Sequence, residues 1–144
     1  MIVEVICHAN ICRSPVAAAL LEQTSGLHVK SSGLHAVPNQ PADRRMIEFL
    51  GGELSSLLGH RSSRFSDRKH PTADLVLVME RSQKRHVLEL VPHLTGRTML
   101  FGQWLEGEPD IADPFGRSDA DYEFTIGLLR VAASTWLERL SGME

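Results

Sequence analysis

Short apolar runs alternate along this chain with segments of helical spacing. The first run, residues 2–6, is interrupted only by Glu4 and has the length and β-branched content of a buried strand. Ser14 and Pro15 then indicate a helix start, with Ser14 as the N-cap and Pro15 in the first turn. Gly26 is the expected end of that helix. The sequence therefore predicts a strand, the loop CHANICR and a helix in its first 26 residues.

The same alternation continues to the end of the chain. The predicted elements are a strand in LHVKSSG, a helix in PADRRMIEFLGGELSSLLG, a buried strand in ADLVLVME, a helix in RSQKRHVLELVP and a strand in RTMLF. Gly51 and Gly52 weaken the middle of the second helix, whose apolar face carries Met46, Leu50 and Leu54. The last helix is predicted to begin at Ser118, with Asp121 as its capping-box partner.

Strands that alternate with helices are typical of an open parallel sheet. We therefore expect an α/β fold with an open four-stranded parallel sheet, flanked by helices on both faces, in a single domain that spans residues 1–144. Ligands of such sheets bind beyond the carboxyl ends of the strands. Cys7 stands at the carboxyl end of the first predicted strand, so the loop that follows it is the expected functional site.

The composition of the chain argues against several classes of function. The formal net charge is −3 and the chain has no long basic stripe, which argues against a nucleic-acid partner. No run approaches the roughly 20 apolar residues of a membrane span, and the start does not resemble a signal peptide. Both cysteines lie in one loop, so they cannot brace the fold as a disulfide framework. We expect a cytoplasmic protein without membrane insertion.

Metal binding has little support in the sequence. The seven histidines are scattered, and none pairs with another at metal-binding helical spacing or in an H-E-x-x-H motif. We therefore expect a reaction that needs neither a metal nor another cofactor.

The first loop carries the candidate chemistry. A loop between a strand and a helix start directs backbone N–H groups and the positive helix end at one point, which suits an anion. Arg13 adds a planar guanidinium that can hold two phosphate oxygens, and the positive potential favours the thiolate of Cys7. Such an arrangement could attack phosphorus. The alternative is that Cys7 is a small buried hydrophobe and Arg13 a solvated surface charge.

The motif CHANICRSP, with a later DPF at residues 113–115, resembles the low-molecular-weight protein tyrosine phosphatase family, whose signature is C-x-G-N-x-C-R-S-P. The resemblance spans the chain through SSG, ADLVLVME and TMLFGQW. It is strongest to bacterial members encoded with exopolysaccharide and capsule machinery, which act on tyrosine-rich tails of membrane-anchored autokinases. The resemblance implies a phosphotyrosine protein substrate of that kind, inorganic phosphate as a product inhibitor, no cofactor and a monomer.

The resemblance also implies roles for single residues. Cys7 would be the nucleophile, Arg13 the phosphate ligand and Asp113 the general acid. Ser14 would hydrogen-bond the thiolate, and Phe115 would form an aromatic wall beside the substrate ring. The implied phosphate-binding loop consists of His8, Ala9, Asn10, Ile11, Cys12, Arg13 and Ser14.

Further implied roles concern the support of this loop. Asn10 would hold its curvature, supported from behind by Ser32 and His60. Cys12 would lie close to Cys7 as its partner in reversible oxidation.

Each role has a simpler alternative on the residues alone. Asn10 could be only a turn residue, His60 the end of a surface helix and Phe115 ordinary core. Asp113 has three acidic neighbours that could serve instead, although Pro114 favours it by stiffening the peptide. Those neighbours are Asp110, Asp119 and Asp121.

Two positions depart from the family pattern. Ala9 replaces the loop glycine, which would cost roughly 1–2 kcal/mol if that position needs a positive φ. Ser63 occupies the place of an arginine that usually follows His60, and Arg64 stands one residue out of step. His8 either adds positive potential beside the nucleophile or contacts the substrate.

Three functions remain open from the sequence. The first is a phosphomonoesterase that works through phosphocysteine. The second is thiol-dependent arsenate reduction, which commonly uses further cysteines downstream; none follows Cys12, although a glutathione-linked reaction would not need them. The third is a phosphate-carrier module with a phosphorylated cysteine, which would not need the acid of an Asp-Pro loop.

Overall fold

Four parallel strands form the sheet that the apolar runs predict. The computed structural model describes residues 1–23, 26–68 and 72–141. The strands are β1 (Ile2–Cys7), β2 (His28–Gly33), β3 (Leu75–Val78) and β4 (Thr98–Leu100). Their order in the sheet is β2-β1-β3-β4, and all neighbouring pairs are parallel. The predicted open parallel sheet is confirmed, and Cys7 is the last residue of β1.

In the described part of the chain, three helices connect these strands, and a fourth follows the last strand. They are α1 (Arg13–Glu22), α2 (Arg44–Leu50), α3 (Arg81–Leu90) and α4 (Asp119–Ser141), with short 3-10 turns at Ser55–Gly59, Phe65–Asp67 and Pro92–Leu94. Among the described residues, no helix combines the length and the apolar character that crossing a membrane requires.

The alternation of side chains along β1 places apolar residues on both faces of the sheet. On one face Val5 is buried in a cluster with Leu21 of α1 and Leu129 of α4. On the other face Ile6 is buried in a second cluster with Val87 of α3. Helices therefore cover both faces, as predicted.

Two predicted helix boundaries are wrong. The segment 41–59 is not one helix: α2 ends at Leu50, and a separate 3-10 turn follows Gly51 and Gly52. Helix α1 begins at Arg13 and ends at Glu22, before Gly26, and Ser14 is not its N-cap. The hydroxyl of Ser14 contacts loop atoms instead, so it is not available to cap the helix.

The start of α4 follows the predicted capping box. The Asp121 backbone N–H donates to Ser118 Oγ, and the Ser118 backbone N–H donates to Asp121 Oδ2, each over 3.2 Å. Further along α4, the buried indole of Trp136 donates to the carbonyl of Phe101 over 2.8 Å. This bond anchors α4 to the segment that follows β4.

The last residue of β2 lies against the loop that follows β1. A Cβ on Gly33 would lie 2.7 Å from the carbonyl oxygen of His8 and 2.9 Å from the backbone nitrogen of Asn10. Real Cβ atoms essentially never come this close to backbone. The loop can therefore take its position only because residue 33 has no side chain.

We expect Gly33→Ala to displace the loop, which should lower the free energy of unfolding by about 2 kcal/mol and reduce turnover. Denaturant unfolding and steady-state hydrolysis would measure the two effects. The matched control is Gly127→Ala on the exposed side of α4, where a Cβ meets nothing within 4 Å. It should raise stability by up to about 1 kcal/mol and preserve turnover. Equal activities in the two variants would contradict the prediction.

Candidate active site

Cys7 lies at the base of the loop that joins β1 to α1. Its side chain is buried, with 2% of the residue exposed. The Ser14 hydroxyl oxygen lies 3.0 Å from Cys7 Sγ, and the Asn10 backbone N–H donates to the same sulfur over 3.3 Å. The sulfur is thus contacted by a hydroxyl and by a backbone N–H at the base of the loop.

Asn10 is the residue that shapes the loop. Its φ is 57°, in the left-handed region that asparagine adopts more readily than most residues. The side-chain amide donates to Ser14 Oγ over 2.8 Å and to Ser31 Oγ over 3.0 Å, and its oxygen accepts from the Ser63 backbone N–H over 2.9 Å. The backbone carbonyl of Asn10 lies 2.7 Å from His60 Nε2. Asn10 is thus a turn residue and also the centre of a hydrogen-bond network.

The contact with His60 fixes the tautomer of this histidine. A carbonyl can only accept, so the proton of the neutral imidazole lies on Nε2. Burial lowers the pKa of His60, and the charge of Arg61 adds to this effect, whereas the bond to Asn10 opposes it. His60 is therefore a neutral donor to the loop, and it also caps the carboxyl end of the 3-10 turn Ser55–Gly59.

Arg13 is buried at the start of α1, with only 2% of its side chain exposed. Its NH1 group donates to Glu80 Oε1 over 2.6 Å and to the carbonyl of Ile111 over 2.7 Å. Its NH2 group lies 3.8 Å from Asp113 Oδ2, and its Nε has no hydrogen-bond partner among the described residues. The alternative of a solvated surface charge is therefore wrong for Arg13.

Asp113 faces this arginine across the site. Its Oδ1 accepts from the backbone N–H of Phe115 over 3.1 Å, a local turn that fixes the carboxylate, and Pro114 between them is buried. The three other aspartates contact residues other than Arg13. Asp110 contacts Arg81, Asp119 contacts Arg45, and Asp121 contacts Ser118. Of the four candidates, Asp113 is the one that approaches Arg13.

One cavity is lined by three of these groups, Arg13, Glu80 and Asp113. Its volume is about 460 Å³, and charged or titratable residues dominate its lining: Arg13, Glu80, Asp113, His8, His35 and His86. Phe115 is 58% exposed and is not among the residues that line this cavity. Its expected place beside a substrate ring stays a prediction. Within the described part of the chain, no group of three or more His, Cys, Asp or Glu side chains is arranged to hold a metal ion.

Residues 2–143 match the family model described as "Low molecular weight phosphotyrosine protein phosphatase". The chain belongs to the low molecular weight phosphotyrosine protein phosphatase family. One similar relative is the low molecular weight protein-tyrosine-phosphatase Etp of Escherichia coli K12, which is 38% identical over 138 residues, covering 95% of this chain and 93% of the relative.

Solved structures of family members have the same fold. The tyrosine phosphatase Wzb from Escherichia coli K30, in complex with sulphate, superposes with a TM-score of 0.90 at 35% identity, covering 96% of this chain and 97% of Wzb. YwlE, described as an arginine phosphatase from Geobacillus stearothermophilus, superposes with a TM-score of 0.84 at 31% identity, covering 99% of this chain and 94% of YwlE. The family fold therefore includes proteins named for two different phosphorylated residues.

The alanine that replaces the family's loop glycine carries no backbone strain. Ala9 is not among the residues with positive φ; the left-handed position in the loop is the next residue, Asn10. The expected penalty of roughly 1–2 kcal/mol would apply only if φ at Ala9 were positive. That condition is not met, because the turn lies at Asn10, the residue expected to hold the curvature of the loop.

The expected support of Asn10 by Ser32 is also corrected. The hydroxyl of Ser31 contacts the Asn10 amide, whereas the hydroxyl of Ser32 donates to Glu4 Oε2 over 2.8 Å. Consecutive residues of a strand face opposite sides of the sheet. Ser31 pairs with Val5 and lies on the face of α1, and Ser32 pairs with Ile6 on the other face. Ser32 contributes only its carbonyl, 3.5 Å from Ser14 Oγ.

An arginine from outside the motif contacts two residues that support the loop. Ser63 stands where the family usually has arginine, and Arg64 binds the carbonyl of Ala36. The guanidinium of Arg68 donates to Ser63 Oγ over 3.3 Å and to the backbone carbonyl of Ser31 over 3.1 Å. It also pairs with the buried Glu4 over 3.2 Å. Sequence analysis missed this pair, although a charged residue inside a buried strand was a signal for it.

Sequence analysis also missed Glu80. This residue follows β3 and binds Arg13, so it fixes one edge of the guanidinium. Its signal was a carboxylate directly after a buried strand, at the same edge of the sheet as Cys7.

Cys12 lies in the same loop as Cys7 but has a different environment. Burial raises the pKa of the Cys12 thiol, and the charges of Asp113, Asp43 and Cys7 raise it further against the opposing effect of Arg13. Cys12 is therefore a neutral thiol. Its role as the oxidation partner of Cys7 stays a prediction.

The lowered pKa of His60 predicts a pH dependence of stability. Above about pH 6.5, the pKa of histidine in the unfolded chain, the contribution of neutral His60 to stability is fully present. As the pH falls below that value, the unfolded chain binds the proton more readily than the folded chain does. The free energy of unfolding therefore decreases. Denaturant unfolding between pH 7.5 and 5.5 should show this decrease. His60→Gln, which keeps an N–H donor for Asn10 but does not titrate, should show a shallower one. His93→Gln, at an exposed histidine, should retain the wild-type slope; identical slopes in all three proteins would refute the prediction.

Proposed function

We propose that this protein hydrolyses phosphotyrosine in proteins through a phosphocysteine intermediate, with Cys7 as the nucleophile. The observation that carries the proposal is the combination of two features: a sulfur contacted by a hydroxyl and a backbone N–H, and a buried guanidinium whose Nε has no partner among the described residues. A buried donor without a partner is costly, and a phosphate oxygen would satisfy it. Family membership and the sulphate complex of the related Wzb support this assignment.

In the first step the Cys7 sulfur attacks phosphorus and the bond from phosphorus to the tyrosine oxygen breaks. Arg13 and the backbone N–H groups at the start of α1 neutralise the charge on the phosphate oxygens. Asp113 donates a proton to the leaving phenolate. Its Oδ2 lies 3.8 Å from the NH2 group of Arg13, and this proximity supports the role.

In the second step a water attacks the phosphorus of phosphocysteine, and Asp113 takes up the proton of that water. The bond from phosphorus to sulfur breaks, and inorganic phosphate leaves. The Ser14 hydroxyl, 3.0 Å from Cys7 Sγ, stabilises the departing thiolate. Phosphate binds the same loop as product and is therefore expected to inhibit.

The depth of the sulfur supports phosphotyrosine over phosphoserine. Cys7 is almost fully buried, so a phosphate must extend into the protein to reach it. The longer tyrosine side chain suits this geometry. We further propose the tyrosine-rich tail of a membrane-anchored autokinase as the physiological substrate, supported by the similarity to bacterial relatives such as Etp and Wzb.

The direct test is steady-state hydrolysis of matched phosphotyrosine, phosphoserine and phosphoarginine peptides in the presence of EDTA. The phosphotyrosine peptide should have the highest kcat/KM, and acid quench should trap phosphate on Cys7. Cys7→Ser should abolish turnover and retain phosphate binding, because Arg13 and the loop amides remain. Substantial turnover by Cys7→Ser, or a higher kcat/KM for phosphoarginine, would overturn the proposal.

The role of Asp113 predicts a dependence on the leaving group. Tyrosine phenolate leaves with difficulty because its conjugate acid has a pKa of about 10, so proton donation should contribute on the order of 10²–10⁴-fold. Asp113→Asn should therefore slow phenyl phosphate strongly and p-nitrophenyl phosphate much less. The control is Asp110→Asn, whose carboxylate binds Arg81. A larger defect in Asp110→Asn than in Asp113→Asn would assign the acid elsewhere.

A further inference from the structure

Three histidines form a row at the mouth of the cavity that contains Arg13. His8 follows Cys7 in the loop, His35 follows β2, and His86 lies on α3. The ring centroids of His8 and His35 are 4.8 Å apart, and those of His35 and His86 are 5.4 Å apart. The His35 backbone N–H donates to the His8 carbonyl over 2.8 Å, which holds the first two residues together. We call these three residues the histidine row.

The ring nitrogens of the histidine row are available to a ligand. Among the described residues, none of the three rings forms a hydrogen bond with another protein group. His8 and His35 are exposed, and His86 is half-buried. The row therefore presents polar groups that face solvent and share a cavity with the proposed reaction site.

The other charged groups that line this cavity contact one another. Arg13, from the loop and α1, pairs with Glu80 before α3 and approaches Asp113 from the loop before α4. The remaining lining residues are uncharged: Leu34, Ser82 and Gln83. The histidine row is therefore the part of the cavity whose charge can change without breaking the contacts of Arg13.

The rings influence one another electrostatically. Loss of hydration lowers the pKa of His35, and the proximity of His8 and His86 lowers it further. Protonated neighbours repel, and an anion placed among them would relieve the repulsion. Binding of an anion and uptake of a proton by His35 should therefore favour each other.

We propose that His8, His35 and His86 form a subsite for the carboxylate of an acidic residue close to the phosphotyrosine in the substrate protein. This inference rests on the proposed phosphotyrosine phosphatase function and adds a preference in sequence to it. The row spans about three residues of an extended peptide. An acidic residue within this reach of the phosphotyrosine can contact the row while the phosphate occupies the loop.

The test compares kcat/KM for a phosphotyrosine peptide with neutral flanks and for peptides in which glutamate replaces, one at a time, the two residues on either side. Glutamate stays ionised between pH 5.5 and 8, because its pKa is about 4.3, and the phosphotyrosine is common to all peptides. For at least one position, the kcat/KM ratio of the glutamate peptide to its parent should be about fivefold at pH 5.5. It should approach one at pH 8.

Two variants and one control assign the effect to the row. His35→Gln and His86→Gln should each reduce the ratio at pH 5.5 and flatten its pH dependence. His93→Gln, at an exposed histidine outside the cavity, should retain the wild-type ratio. All assays contain EDTA, so a bound metal ion cannot produce the preference.

The outcomes separate this inference from the proposed function. A ratio that is independent of pH in the wild type, or that survives in both His35→Gln and His86→Gln, would overturn the subsite while hydrolysis of the parent peptide continues. Failure of the wild type to hydrolyse the parent peptide would instead overturn the proposed phosphatase function.

Discussion

The left-handed backbone at Asn10 is the constraint on which the rest of the site depends. This conformation costs roughly 1–2 kcal/mol for a residue with a side chain, and it is offset by the hydrogen bonds of the amide and the carbonyl. It directs the Asn10 N–H at Cys7 Sγ and its side chain at Ser14 Oγ. The groups that contact the sulfur are thus positioned by the φ angle of Asn10 and by the residues that hydrogen-bond to Asn10.

A buried cation imposes the second requirement. The side chain of Arg13 is almost completely buried, and a buried charge needs an opposite charge and hydrogen-bond partners. Glu80 and the Ile111 carbonyl satisfy one end of the guanidinium, and Asp113 approaches the other end from a separate loop. The arrangement keeps the arginine fixed, while its Nε has no hydrogen-bond partner among the described residues. Fixed groups of this kind reorganise little when charge develops on a bound phosphate.

Local patterns in the sequence predicted much of the fold. Strand β1 and the first turn of α4 depend on residues that are close together in the chain. Hydrophobic spacing was therefore sufficient to predict β1, and the Ser118–Asp121 capping box was sufficient to predict the start of α4. One failure occurred where groups of the adjacent loop compete with helix capping for the same side chain. Ser14 has the sequence of an N-cap, but its hydroxyl binds loop atoms instead.

The sequence by itself determined the succession of strands and helices along the chain. It also placed the cysteine–arginine loop at the end of β1. Only the tertiary structure selected Ser31 over Ser32, because the face of β2 that meets α1 depends on its register with β1. Likewise, only the tertiary structure brought Glu80 to Arg13 and aligned the histidine row from three separate segments. The physical reason is common to these cases: a parallel sheet brings the carboxyl ends of distant strands to one edge, and spacing along the chain does not record which side chains meet there.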